Sequence, residues 1–236
     1  MSTLRSSAIP VTDPSAGLRI TEIFYSLQGE ANTLGLPTVF IRLTGCPLRC
    51  TYCDTTYSFE GGERQSLDEI IQTTLDFKTP YVCVTGGEPL AQPNAIPLMQ
   101  KLADLGCEVS LETSGALDVS KVDPRVSKVL DLKTPTSGEE KRNLMSNLEH
   151  LTQHDQIKFV ICNREDYEWS KLQVEQYKLN EKVSTVWFSP AFAIEKGAVR
   201  LPQLARDLAQ WILEDHIPVR FQLQLHKLLW NDETGR

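Results

Sequence analysis

No apolar run in these 236 residues approaches the length needed to cross a bilayer. The first residues also lack the apolar core of a secretory leader. Residues 1–17 mix Ser, Thr, Pro and small side chains without periodicity, so a flexible N-terminal extension is expected ahead of one folded domain, 18–236. Basic side chains are in deficit, 24 against 31 acidic, and the net charge of -7 argues against a nucleic-acid partner. With no export signal, the six cysteines are not read as a disulfide framework: Cys46, Cys50 and Cys53 are expected as reduced thiolates, and Cys83, Cys107 and Cys162 as core residues. The expected compartment is the cytoplasm, with no membrane association.

What is present is a repeated strand–helix pattern. Strands are expected near 18–24, 38–43, 81–84, 108–111, 128–132, 157–161, 183–188 and 219–225. Helices are expected from Ser66, with Ser66 as N-cap and Glu69 completing a capping box, and over 95–105, 139–151, 165–177 and 204–215. Gly106 is the expected stop of the second helix. Alternating strands and helices imply parallel βα units, and six or seven are visible, too few for an eight-unit barrel. The expected fold is therefore α/β, a partial, open βα barrel.

Polar motifs follow the C-terminal ends of the strands, the edge where active sites of parallel α/β folds assemble. They are the cysteine loop, Thr85-Gly86-Gly87-Glu88-Pro89, Glu112-Thr113-Ser114-Gly115, Asp131-Leu132-Lys133-Thr134-Pro135, Ser189-Pro190-Ala191 and His226-Lys227. The loop holds three cysteines within eight residues, spaced C-x3-C-x2-C. Three thiolates leave one coordination position open, whereas structural zinc and a cubane iron–sulfur cluster each take four ligands. Two readings follow: a zinc site completed by His150, His154 or a distant cysteine, or a catalytic cluster whose open iron binds a small molecule.

The spacing resembles the signature of the radical S-adenosylmethionine (SAM) superfamily, in which three cysteines hold a [4Fe–4S] cluster and SAM chelates the fourth iron. That resemblance implies a cofactor side comprising Tyr52 beside the adenine, Gly87 and Glu88 at the amino group, and Thr113, Ser114, Asp131, Leu132 and Lys133 toward the ribose and carboxylate. Further motifs, Phe24-Tyr25-Ser26-Leu27-Gln28-Gly29-Glu30, Phe40 to Cys46, Cys53-Asp54-Thr55 and Gln224-Leu225-His226-Lys227, resemble the 7-carboxy-7-deazaguanine synthase family over residues 18–230. This second resemblance implies conversion of 6-carboxy-5,6,7,8-tetrahydropterin to 7-carboxy-7-deazaguanine with loss of ammonia. Leu27, Gln28, Gly29, Glu30, Arg42 and Thr85 would face the pterin. Thr55 would bind Mg2+, with Asp54 behind it. No side chain is expected to be catalytic, because the cluster and SAM generate the radical. A flavodoxin or ferredoxin as electron donor and a homodimer are also implied. Ala31 stands where that family commonly has glycine. Competing readings are an activase that installs a glycyl radical on a partner protein, and a non-catalytic iron–sulfur or zinc protein.

Overall fold

The structure, a computed structural model, describes residues 17–191, 203–230 and 233–236. Residues 1–16 of the expected extension lie outside the described residues. Gly17, placed at the end of that extension, is instead the first residue of a strand and pairs with Ser66.

The sheet has nine strands in the order β3-β1-β2-β4-β5-β6-β7-β8-β9. A hairpin begins it: β1 (Gly17–Leu27) lies antiparallel to β2 (Pro37–Leu43) and, on its other edge, to β3 (Glu63–Ser66). From β2 the sheet runs parallel through β4 (Tyr81–Gly86), β5 (Glu108–Thr113), β6 (Ser127–Asp131), β7 (Gln156–Ile161), β8 (Thr185–Pro190) and β9 (Arg220–Phe221). Four consecutive residues of β4, Val82 to Thr85, are buried, as suits a parallel strand covered on both faces.

Helix α1 (Leu67–Asp76) begins at Ser66, whose side chain accepts from the Glu69 backbone while Glu69 reaches back to the Ser66 amide, the capping box read from the sequence. It buries Leu67, Ile70, Ile71 and Thr74 against the sheet. Helix α2 (Ala95–Asp104) does the same with Ala95, Leu98, Met99 and Leu102, spaced i, i+3, i+4, i+7. Each fully buried Leu or Ile contributes about 1.5–3 kcal/mol. Gly106 follows α2 at φ 88, so the helix ends where the sequence indicated. Helices α3 (Arg164–Gln176), α4 (Leu179–Lys182) and α5 (Gln203–Glu214) cover the later strands, and α6 (Leu225–Trp230) is the last helix among the described residues. No helix among the described residues is long and apolar enough to cross a membrane.

Three expectations are corrected. Residues 139–151 form 3-10 turns, Glu140–Arg142 and Met145–His150, rather than one helix. Asn143 and Asn147 divert the chain: Asn143 bonds the Lys133 backbone in both directions, and the Asn147 amide spans Gly115 O, Leu117 O and Val119 N. The final strand pairs only over Arg220–Phe221, and the chain then turns into α6. Residues 63–66 were not expected to be a strand. Their composition is polar, and their pairing partner is β1.

Ala31 adopts φ 64, the left-handed region that favours glycine, at a cost of about 1–2 kcal/mol. Gln222 Oε1 accepts from the Ala31 amide at 3.1 Å and holds the turn in place.

Candidate active site

One cavity of about 790 Å3 opens at the C-terminal edge of the parallel strands. The loop after β2 brings Cys46, Cys50 and Cys53 to its wall, all as free thiols. The loop is anchored from outside. Arg49 Nη1 donates to Cys46 O and Leu48 O, and its guanidinium lies 4.3 Å from the centre of the Phe59 ring. Thr51 bonds to Ser137 O and Thr136 O. Burial pushes the Cys46 and Cys50 thiols up, the latter to about 11, and the neighbouring thiols and the Glu88 and Asp131 carboxylates add to it against the pull of Lys133. Three clustered thiols and no disulfide form a soft donor set suited to iron–sulfur ligation. His150 and His154 do not line the cavity, and among the described residues no group of His, Cys, Asp or Glu is placed to hold a single metal ion. The zinc reading therefore lacks a histidine there.

The loop after β4 packs directly onto the cysteine loop. Gly87 N donates to Leu43 O at 3.0 Å, and Glu88 N donates to Gly45 O at 2.8 Å. A Cβ on Gly87 would sit 2.2 Å from Gly45 O and 2.9 Å from Cys46 Cβ, so only glycine fits. Glu88 departs from its expected role. It is fully buried and lies outside the cavity lining, and its carboxylate accepts from Leu90 N, Thr113 Oγ1, Ser114 N and Ser114 Oγ. It holds Thr113 and Ser114, which do line the cavity, in place. Leu132 is likewise fully buried and faces the core rather than the cavity.

Asp131, at the end of β6, and Lys133 line the same side as Tyr52. Asp131 Oδ2 pairs with Lys133 at 3.0 Å, while Asp131 Oδ1 is buried with no hydrogen-bond partner among the described residues. A buried orphan oxygen carries a desolvation cost that a bound donor would relieve. Lys133 Nζ lies 6.0 Å from the centre of the Tyr52 ring.

Across the cavity, the turn after β1 presents Leu27, Gln28, Gly29 and Glu30. Thr85 donates to Glu112 Oε2 at 3.0 Å, and Gln28 Nε2 reaches Glu112 Oε1 at 3.5 Å. Arg42 is held by Glu22 through Nε at 2.7 Å and sits between the rings of Phe24 and Tyr57. Burial works against its charge, and Tyr57 and Glu22 more than offset that. With Nε occupied, the two terminal nitrogens remain for an anion. Thr55 lines the cavity beside Cys53, with its Oγ1 3.8 Å from the thiol. Asp54 is paired with Lys227 at 3.0 Å, which keeps its carboxyl below the usual range despite burial.

The C-terminal segment closes this side. Leu225 N donates to Gly29 O, Gln224 Nε2 donates to Glu30 Oε1 at 2.8 Å, and a Cβ on Gly29 would lie 2.2 Å from His226 Nδ1. Burial alone would push the Glu30 carboxyl up, but Lys158, His226 and the Gln224 bond bring it down to about 2. Sequence reasoning missed Lys158, which reaches the cavity from the middle of β7. The available signal was a lysine inside Ile157-Lys158-Phe159-Val160-Ile161, a run that otherwise reads as a buried parallel strand. Cys162, expected in the core, is only partly buried and lines the cavity, where burial beside Asp166 pushes its thiol up to about 12.

Thiol loop, glycine cradle and open parallel sheet together define the radical SAM class. Residues 40–137 match the model of the radical SAM superfamily. The chain is 44% identical to a 7-carboxy-7-deazaguanine synthase of Koribacter versatilis, over 92% of this chain and 99% of the relative. It is 42% identical to the enzyme of that name from Chlorobaculum tepidum, over 93% and 97%. The chain belongs to the 7-carboxy-7-deazaguanine synthase family. The crystal structure of QueE from Escherichia coli shares the fold, with a TM-score of 0.71 at 23% identity, over 89% of this chain and 95% of that one.

Proposed function

We propose that the cavity converts 6-carboxy-5,6,7,8-tetrahydropterin to 7-carboxy-7-deazaguanine with loss of ammonia, on the route to queuosine and other 7-deazapurines. The observation that carries this reading is that one cavity joins the three thiols to a bed of polar side chains, Gln28, Glu30, Arg42, Thr85 and Glu112. Cys46, Cys50 and Cys53 would hold a [4Fe–4S] cluster, which with SAM supplies one-electron cleavage and hydrogen-atom abstraction.

The chain's own task is to bind, orient and exclude water. Gly87 lets its loop backbone lie against the cysteine loop, and Thr113, Ser114, Asp131, Lys133 and Tyr52 receive SAM. Gln28 and Glu30 accept from the amine and amide edge of the pterin, and Thr85 adds a hydroxyl. The free nitrogens of Arg42 take its carboxylate. Thr55 would hold Mg2+ by its hydroxyl, with Asp54, tied to Lys227, behind it. The electron source is a flavodoxin or ferredoxin, the assembly is a homodimer, and the compartment is the cytoplasm.

Anaerobic protein reconstituted with iron and sulfide is incubated with dithionite, SAM, Mg2+ and the pterin, and the product is read by mass spectrometry. Expected is 7-carboxy-7-deazaguanine that depends on SAM and rises with Mg2+. SAM cleaved without that product would leave the radical chemistry standing and sink the substrate. In the same assay Thr55→Ala is expected to lose most of the Mg2+ stimulation while keeping its iron; stimulation equal to the parent's would remove Thr55 as the metal ligand.

A further inference from the structure

Lys158 lines the cavity. On β7 it stands in register with Asp131 of β6 on one side and Trp187 of β8 on the other. Its side chain is only 12% exposed. The ammonium lies 2.6 Å from Glu30 Oε2 and 3.5 Å from Asp131 Oδ2, and so touches both halves of the cavity. The mechanism above gives it no task.

The two carboxylates depend on it unequally. Asp131 Oδ2 has a nearer cation in Lys133, at 3.0 Å. Glu30 takes its ion pair from Lys158, and its other oxygen is held by the neutral amide of Gln224 at 2.8 Å. An ionised carboxylate offers about four acceptor positions, so with two in use Glu30 keeps room for the N–H groups of a ligand. Such a carboxylate buried without its cation rotates or protonates, because burial penalises the charged form.

We propose that Lys158 is the positioning residue of the pterin half: its ammonium fixes Glu30 as an acceptor facing the N–H edge of the substrate, while Asp131 and Lys133 hold the SAM half without it. This rests on the function proposed above. Lys158 acts through Glu30 and does not touch the reacting atoms. The other titratable groups around the pair are His226 from the C-terminal segment and Asp54 from the cysteine loop beside Glu30, Asp131 from β6 and Glu112 from β5 beside Lys158, and Lys227, which pairs with Asp54.

The test compares the parent with Lys158→Met, Lys158→Arg, Glu30→Gln and the Glu30→Gln/Lys158→Met double variant, each checked for iron content and iron–sulfur absorbance. KM and kcat for the pterin and for SAM are measured across pH. In Lys158→Met the pterin KM is expected to rise about tenfold or more, equivalent to about 1.4 kcal/mol. Its SAM KM should stay within about threefold, under the same conversion. The kcat/KM for the pterin should gain an acid limb absent from the parent, since the isolated Glu30 carboxyl titrates upward. His226 is common to both proteins, so only the difference counts. Lys158→Arg should recover most of the pterin KM. Should Lys158→Met fail to load iron, the double variant leaves no unpaired buried charge; there the lysine substitution should add little to the Glu30→Gln defect, and the new limb should vanish.

A pterin KM within twofold of the parent, or a SAM KM that rises in step with it, overturns the inference. So does additivity of the two substitutions in the double variant. Failure of the parent to make product is a separate outcome: it removes the functional reading and this inference with it.

Discussion

A Cys50→Ala variant is expected to lose iron, SAM cleavage and product together, with turnover down by at least about a thousandfold, an increase of about 4 kcal/mol in the effective barrier. The chain offers three thiols where a cubane takes four ligands, so it has no spare position. Removing one leaves two in the loop; neither His150 nor His154 lines the cavity, and the other thiol that does, Cys162, is engaged beside Asp166. The fold should tolerate the change. Cys50 is half-buried, and the anchorage of its loop comes from Arg49, Thr51 and the buried Leu48. The apo variant should therefore unfold within about 0.5 kcal/mol of the parent. Iron analysis and turnover decide it: a variant with full iron and full turnover would refute the cluster assignment.

Glu88→Ala is expected to be the most destabilising single change at the site, although Glu88 does not face the cavity. Its carboxylate is fully buried and accepts from Thr113 Oγ1 at 2.9 and 3.0 Å, Ser114 N at 2.7 Å, Ser114 Oγ at 2.5 Å and Leu90 N at 3.0 Å. Hydrogen bonds to a charged acceptor are the strong ones. Truncation leaves several buried donors unpaired, at about 1–3 kcal/mol each and less than additively, for a total of about 3–5 kcal/mol. In a domain of this size each kcal/mol moves Tm by about 2–4 °C, so a fall of about 10 °C is expected. Glu88→Gln should recover only part of it, because the amide nitrogen is a donor turned toward donors. The SAM KM should rise in both variants through displacement of Thr113 and Ser114. A Tm within about 2 °C of the parent would show that these contacts carry little energy.

The two residues, Cys50 and Glu88, mark what could and could not be read in the sequence. The thiol loop was legible because its chemistry lies in spacing along eight consecutive residues. The capping box at Ser66 and the buried stripe of α2 were legible for the same reason, since helix contacts recur every three or four residues. Glu88 looked like a ligand contact because Gly-Gly-Glu-Pro places a carboxylate at a strand end. Nothing local reveals that Thr113 and Ser114, 25 and 26 residues away, occupy it. Lys158 was hidden by a similar separation, its partner Glu30 lying 128 residues earlier. Residues 139–151 carry helical spacing, but side chains of Asn143 and Asn147 bind distant backbone groups and override it. Local pattern fixed the elements, while long-range polar bonds decided which way the functional side chains face.

The packing of Gln222, Gln224 and His226 against residues 29–31, beside the cavity, has a consequence for biosynthesis. These contacts join positions about 190 residues apart, among the last that a growing chain can make. At about 5–20 residues per second, roughly 10–35 s separate translation of the cysteine loop from that of Gln224. Throughout that interval the contacts of Gln224 with Glu30 and of Leu225 with Gly29 cannot form. A ribosome that pauses within α5 prolongs this window, so the speed of translation near the C-terminus sets how long Gly29 and Glu30 wait for their partners.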